Sequence, residues 1–203
     1  MKLLDLFCGA GGTAWGYHLA GFTDITGVDI LPQPKYPFTF IRSNALEFPL
    51  DGYDLIHASP PCQAYSKTHK ITRAAHPRLI EPIRGRLLGS GTPYVIENVA
   101  EAPLRNPVML CGRMFGLLLY EHRLFETSFP VIQPGHPEHV IRQTKMGRPP
   151  EPDACMQVTG HFSGAEEARK RMGISWMGRD ELAQAVPPAY TEYIGLQFRV
   201  TNG

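Results

Sequence analysis

A cysteine placed directly after a proline pair dominates the chemistry open to this chain. Residues 59–66 read Ser-Pro-Pro-Cys-Gln-Ala-Tyr-Ser and follow Tyr53-Asp54-Leu55-Ile56-His57-Ala58, an apolar run with the character of a buried strand. Pro60 and Pro61 lack the N–H that a ladder needs, so the strand is expected to stop there. Cys62 then sits at a strand end, where open α/β sheets bind their ligands. A thiol there suits covalent chemistry; the bland alternative is an inert buried cysteine.

A second constellation is Asp5-Leu6-Phe7-Cys8-Gly9-Ala10-Gly11-Gly12, directly after a first strand. Glycines at such a turn let backbone approach a ligand closely. Asp29 ends the next strand about 20 residues on, where a carboxylate accepts hydrogen bonds from a ribose hydroxyl pair. Gly9, Gly11 and Gly12 give G-x-G-G without the third glycine of the dinucleotide fingerprint. Asp5 suits a cationic amino group better than a pyrophosphate. The combination favours S-adenosylmethionine over NAD, against the plain alternative of a tight turn with a structural Asp.

The elements that must position these residues alternate. Strands are expected at Lys2 to Phe7, Ile25 to Asp29, Phe38 to Arg42, Tyr53 to Ala58 and Tyr94 to Asn98. Helices are expected at Thr13 to Ala20 and from Glu81 to a stop at Gly89. Such alternation implies an α/β fold with a parallel sheet. The second half is less regular. Strands are expected at Val108 to Cys111 and Arg123 to Thr127, and helices at Ala165 to Met172, from Arg179, and at Ala189 to Phe198. Residues 133–155 carry five prolines and are expected to form a loop or mobile excursion. With no linker evident, the whole chain is expected to be one domain.

Taken in order, the glycine turn, Pro60-Pro61-Cys62-Gln63 and Glu97-Asn98-Val99 resemble the DNA cytosine-5 methyltransferase family. His122-Arg123-Leu124-Phe125-Glu126 and Val186-Pro187-Pro188 with Ile194-Gly195 extend the likeness to both ends of the chain. The resemblance implies a Rossmann-like, mostly parallel methyltransferase fold that uses S-adenosylmethionine. It implies that Cys62 is the nucleophile that adds to C6 of cytosine, that Glu97 contacts N3 and the amino group, and that Arg123 holds the base's carbonyl oxygen. Cofactor contacts are expected from Asp5, Phe7, Gly9, Gly11, Gly12, Asp29, Asn44 and Pro60. Substrate contacts are expected from Gln63, Ser66, Lys67, Lys70 and Arg73. The partner is expected to be DNA, either a duplex with the cytosine flipped out or a single strand.

The chain also departs from the family pattern. Only about residues 128–175 stand where a target-recognition region is usual. Glu121 replaces an arginine, Asn44 an acid, Ile30 an aromatic and Gln184-Ala185 an Asn-Ser pair. A carboxylate at 121 is expected to weaken substrate contacts or repel phosphate. Two alternatives follow: the same chemistry on a nucleotide, an RNA or with a modified sulfonium donor, or a DNA-binding relative without catalysis.

Bulk properties set the remaining bounds. Net charge is +1, so any nucleic-acid surface must be local. Lys67, Lys70, Arg73, Arg78, Arg84 and Arg86 form one candidate patch, and Arg142, Lys145 and Arg148 another. No apolar run is long enough for a membrane span and no signal peptide is evident, which suits the cytoplasm of a bacterial or phage-infected cell. Cys8, Cys62, Cys111 and Cys155 show no C-x-x-C pair, and no metal spacing is evident among His69, His76, His136 and His161. These histidines are therefore expected to be solvated, and no metal site is expected.

Overall fold

The computed structural model describes residues 1–65, 76–145 and 147–202. Seven strands form one sheet in the order β3-β2-β1-β4-β5-β7-β6. The first five, β1 (Lys2–Leu6), β2 (Asp24–Asp29), β3 (Thr39–Arg42), β4 (Leu55–Ala58) and β5 (Tyr94–Asn98), are mutually parallel. β7 (His122–Thr127) runs antiparallel to both β5 and β6 (Val108–Cys111). The expected, mostly parallel sheet is thus present, with five parallel strands and the antiparallel pairing confined to one edge. The chain order reverses between β1 and β4, whose carboxyl ends are the switch point where such sheets bind ligands. The glycine turn follows β1 and the Pro-Pro-Cys turn follows β4, so both lie at that crevice.

Alternate residues of the central strands feed different layers. Leu3, Val95, Leu110 and Phe125 pack with Tyr17 of α1 (Gly12–Leu19). Leu4, Leu6, Ile56 and Ile96 pack with Ile83 and Leu87 of α2 (Ile80–Ser90). α2 runs past the stop expected at Gly89 and ends at Gly91, whose φ of 69° provides the left-handed cap.

Two short helices follow, α3 (Ala165–Met172) and α4 (Arg179–Leu182). The last helix, α5 (Pro188–Asn202), starts with proline, which lacks only an N–H that the first turn leaves unpaired anyway. It lies on α1 at very close range. A Cβ on Gly16 would fall 2.1 Å from the Pro188 carbonyl oxygen, and one on Gly195 2.8 Å from Ala20 Cβ.

The Pro-rich segment is not a free excursion. Single bridges join Leu119 to Met156 and Gln143 to Cys155. Arg171 of α3 is buried and donates to the carbonyls of Leu118, Glu151 and Ala154 at 3.2, 3.0 and 2.5 Å. Met156, Val158 and Phe162 join a buried cluster with Ala10 of the glycine turn. Segment 154–162 is thus docked against the crevice. Among the described residues, no helix is long and apolar enough to cross a membrane.

Candidate active site

The register of three strands assembles the expected catalytic residues. Ala58 pairs with Ile96, so Glu97 and Asn98 extend beside Ser59 and Pro60. Asn98 Nδ2 donates to the Pro60 carbonyl at 2.8 Å and so fixes the proline turn that carries Cys62. Glu97 pairs with Phe125 across the antiparallel ladder, which sets Arg123, two residues away on the same face, diagonally beside it. Arg123 Nε lies 3.3 Å from Glu97 Oε1. The thiol of Cys62 feels both groups: burial pushes it up, Arg123 pulls it down and Glu97 pushes it up again. Arg123 and Glu97 are thus in contact, and the Cys62 thiol lies within reach of the charge of both.

Two neighbours complete this electrostatic group. Glu121, two residues before Arg123, accepts from Arg123 Nη2 at 2.8 Å. It is 2% exposed and its Oε2 has no partner. Burial, partly offset by Arg123 and reinforced by Glu97, raises its carboxyl to about 7. The expectation that Glu121 repels phosphate is corrected: it faces inward, under the guanidinium. Burial also raises Glu97, against Arg123 and a hydrogen bond from Ser59.

Behind Ser59 lies His57, buried and held near a pKa of about 3 by desolvation. Its Nε2 is 3.0 Å from Ser59 Oγ and its Nδ1 2.9 Å from Tyr17 Oη. A polar chain thus runs from α1 to Glu97. Sequence reading missed His57 because a strand histidine carries no local signal; its one mark is a polar residue inside an apolar run.

The glycine turn forms the other half of the crevice. Phe7, Gly9 and Gly11 all have positive φ, which fits glycine at two of the three. Gly12 is needed for packing, because its Cβ would fall 2.9 Å from the Val186 carbonyl oxygen. Asp29 accepts from the N–H groups of Gly9 at 3.1 Å and Leu31 at 2.9 Å. Asn44, at the end of β3, accepts from the Leu46 N–H at 3.1 Å. Asp5 is fully buried beneath the turn, where Tyr36 Oη donates to its Oδ2 at 3.2 Å and Oδ1 is unpartnered.

These residues fit an adenosine cofactor. A Cβ on Gly9 would meet nothing within 4 Å, so space is open above the turn. A carboxylate has about four acceptor positions, so Asp29 can bind two N–H groups and still receive hydroxyls. Ile30 beside it is 64% exposed and offers an apolar face.

Other expected residues separate from the site. Gln63 follows Cys62 at the crevice, while Ser66, Lys67, Lys70 and Arg73 lie outside the described residues. The basic patch after Cys62 is partly structural. Arg84 is 1% exposed and is bound by Glu126 at 2.7 Å and by Glu81. Arg86 donates to the carbonyls of Ala45 and Phe48 at 2.8 and 2.7 Å.

No metal site is expected from the sequence, yet four potential ligands come together. His136 is not merely solvated; with Cys111, His122 and His139 it forms a group whose ligand atoms all lie within 4.8 Å of one another.

Comparison with known proteins gives these geometries a context. The family model of C-5 cytosine-specific DNA methylases matches residues 1–81. The chain is 29% identical over 116 residues to the type II methylase M.HgiDII of Herpetosiphon aurantiacus, covering 49% of this chain and 33% of that one. It is 31% identical over 121 residues to the type II methyltransferase M1.HphI of Haemophilus parahaemolyticus, covering 49% and 32%. The matches thus span about a third of these curated relatives.

Solved structures extend the likeness in fold. The Entamoeba histolytica methyltransferase EhMeth aligns with TM-score 0.66 and 13% identity over 100% of this chain and 99% of the other. Schizosaccharomyces pombe Dnmt2 methyltransferase aligns with TM-score 0.63 and 14% identity over 100% and 99%. The shared architecture is the Rossmann-like methyltransferase fold. The likeness in sequence is thus to the C-5 cytosine-specific DNA methylases over residues 1–81, and the likeness over the whole chain is one of fold.

Proposed function

We propose that this protein transfers a methyl group from S-adenosylmethionine to C5 of cytosine in DNA through a covalent adduct between Cys62 and C6. The observation that carries this reading is the convergence of Cys62, Glu97 and Arg123 beside the glycine turn. We read the whole chain as one catalytic domain, with residues 128–175 in place of a recognition domain. A compact enzyme of this kind suits a restriction-modification or phage setting within the cytoplasm.

S-adenosylmethionine supplies an electrophilic methyl group on a sulfonium, and cytosine C5 is too weak a nucleophile to take it unaided. The Cys62 thiolate adds to C6, forming the S–C6 bond and sending the C5–C6 π pair toward C5. Glu97, whose carboxyl burial raises, is set to share a proton with N3 and so offset the charge that the thiolate brings. Arg123, clamped between Glu97 and Glu121, orients the base through its carbonyl oxygen. The electron pair at C5 then takes the methyl group as the S–CH3 bond breaks, leaving the donor as a neutral thioether, and C5 loses its proton to a base or water. The C6–S bond breaks and restores the Cys62 thiolate. Asp29 and the amides of the glycine turn bind and orient the cofactor.

The test is trapping on DNA that carries 5-fluorocytosine, where fluorine replaces the departing proton and the adduct persists. A denaturation-resistant complex that depends on S-adenosylmethionine, absent in Cys62→Ser, is expected. Free DNA with this protein, when a known cytosine-5 methyltransferase is trapped in the same buffer, would sink the proposal. Nucleoside mass spectrometry on the reaction products separates DNA from RNA or nucleotide substrates.

A further inference from the structure

We infer that Cys111, His122, His136 and His139 form a structural zinc site that pins the irregular segment after β7 to the edge of the sheet. Four ligand atoms, one thiol sulfur and three imidazole nitrogens, lie within 4.8 Å of one another. Cys111 Sγ is 3.5 Å from His139 Nε2, and His122 Nε2 is 3.1 Å from His136 Nε2. Zinc bonds of about 2.3 Å to sulfur and 2.0–2.1 Å to nitrogen, set tetrahedrally, separate neighbouring ligand atoms by roughly 3.3–3.6 Å. The Cys111–His139 pair at 3.5 Å falls in that range and the His122–His136 pair at 3.1 Å lies 0.2 Å below it, so small side-chain shifts complete the tetrahedron. A borderline-soft d10 cation suits one thiolate with three imidazoles, and four protein ligands fill its shell.

The fold builds the site from two sources. Cys111 and His122 are directly opposed across the β6–β7 ladder, so their side chains rise from the same face. His136 and His139 come from one H-x-x-H stretch, close enough in sequence for both rings to turn toward the same point. An outer layer fixes one of them: the Tyr120 ring stacks on His139 with centroids 3.9 Å apart and planes at 19°, and Tyr120 Oη donates to the Ile141 carbonyl at 2.6 Å. The stack restricts the orientation of the His139 ring and so holds its Nε2 toward Cys111.

The segment needs such a clamp. Residues 135–140 are all exposed, and Val140 is 79% exposed, so apolar burial does not order them. His136 and His139 are the groups that reach the sheet from this stretch. Cross-linking residues 28 apart in sequence, as Cys111 and His139 are, removes loop entropy from the unfolded chain. The site is distinct from methyl transfer, because His122 and Arg123 are consecutive in β7 and therefore point to opposite faces of the sheet.

The experiment is metal analysis on full-length protein prepared without a histidine tag, reconstituted with zinc under reducing conditions and freed of loose metal. About one zinc per chain is expected. Replacing zinc with cobalt should give intense tetrahedral bands and a thiolate charge-transfer band, the latter lost in Cys111→Ala. Because Cys111 is buried and its replacement also perturbs the core, the exposed ligands provide the decisive test. His136→Ala and His139→Ala are each expected to weaken zinc binding, in competition with a chelator, by more than about 100-fold, beyond the 10–100-fold that losing an outer partner costs. No bound zinc in the wild-type protein, or a smaller loss in either variant, overturns the four-ligand site.

Discussion

Arg123 is shared by two buried carboxylates, and this governs how the centre responds to pH. Glu97 and Glu121 lie 3.3 and 2.8 Å from the guanidinium, and both are raised by burial. One cation does not stabilise two desolvated anions equally, so the inner acid, Glu121, retains its proton up to about pH 7. The consequence for stability has a definite sign. Between 4.5 and about 7, the folded chain holds a proton on Glu121 that the unfolded chain has already released. Stability from this group is therefore fully present below 4.5 and lost as pH rises through about 7. Urea unfolding of wild type and Glu121→Gln at pH 5 and pH 8 checks this. The wild type is expected to lose more stability than the variant over that interval, at up to about 1.4 kcal/mol per pH unit. Equal losses would show that Glu121 is ionised throughout. The substitution of an acid for the family's arginine was visible in the sequence, but its inward direction was not. That direction follows from β7 pairing with β5, a contact made far along the chain.

At the scale of elements, α1 and α5 depend on glycine in a way that differs from the turns. Gly16 lies at the α1–α5 contact, where a Cβ would sit 2.1 Å from both the Pro188 carbonyl oxygen and Thr191 Oγ1. Gly16→Ala must push the helices apart, and a loss of about 1–3 kcal/mol in urea unfolding is expected, as for other overpacked cores. Gly85, within α2, has nothing within 4 Å of its Cβ position. Gly85→Ala is expected to stabilise the chain by about 0.5–1 kcal/mol through helix propensity alone. A neutral Gly16→Ala would mean that α1 and α5 are looser than their contact implies. These elements also mark what the sequence could reveal. Most strands of the parallel half were legible because their apolar runs end near a glycine turn, a proline pair or an acid, as after β1, β4 and β2. The reversal of β7, the docking of segment 154–162 by Arg171 and the pairing of Cys111 with His122 were not. Each is a contact between residues distant in sequence, and no local periodicity encodes it.

For the molecule as a whole, a net charge of +1 means that attraction to DNA must come from particular cations left free by the fold. The structure narrows the candidates by showing which cations are already engaged. Arg84 is buried in a pair with Glu126, Arg86 holds the backbone at 45–48, and Arg142 is 2.5 Å from Glu151. Lys145 and Arg148 are exposed on the docked Pro-rich segment, which shares its buried cluster with the glycine turn through Ala10. If this segment takes the place of a recognition domain on the proposed DNA substrate, these two cations meet phosphates rather than bases. Each neutralised phosphate steepens the fall of log K against log salt by about 0.9. Lys145→Ala and Arg148→Ala should therefore each lower that slope by about one unit and weaken binding to a similar extent on unrelated duplexes. Arg86→Ala should lower the unfolding midpoint and leave the slope unchanged, because its guanidinium is engaged by the Ala45 and Phe48 carbonyls. Filter binding across a salt series with two unrelated sequences separates the outcomes. A slope that survives both substitutions would move the phosphate surface away from residues 145–148. A loss confined to one sequence would turn the segment from an electrostatic platform into a reader of bases.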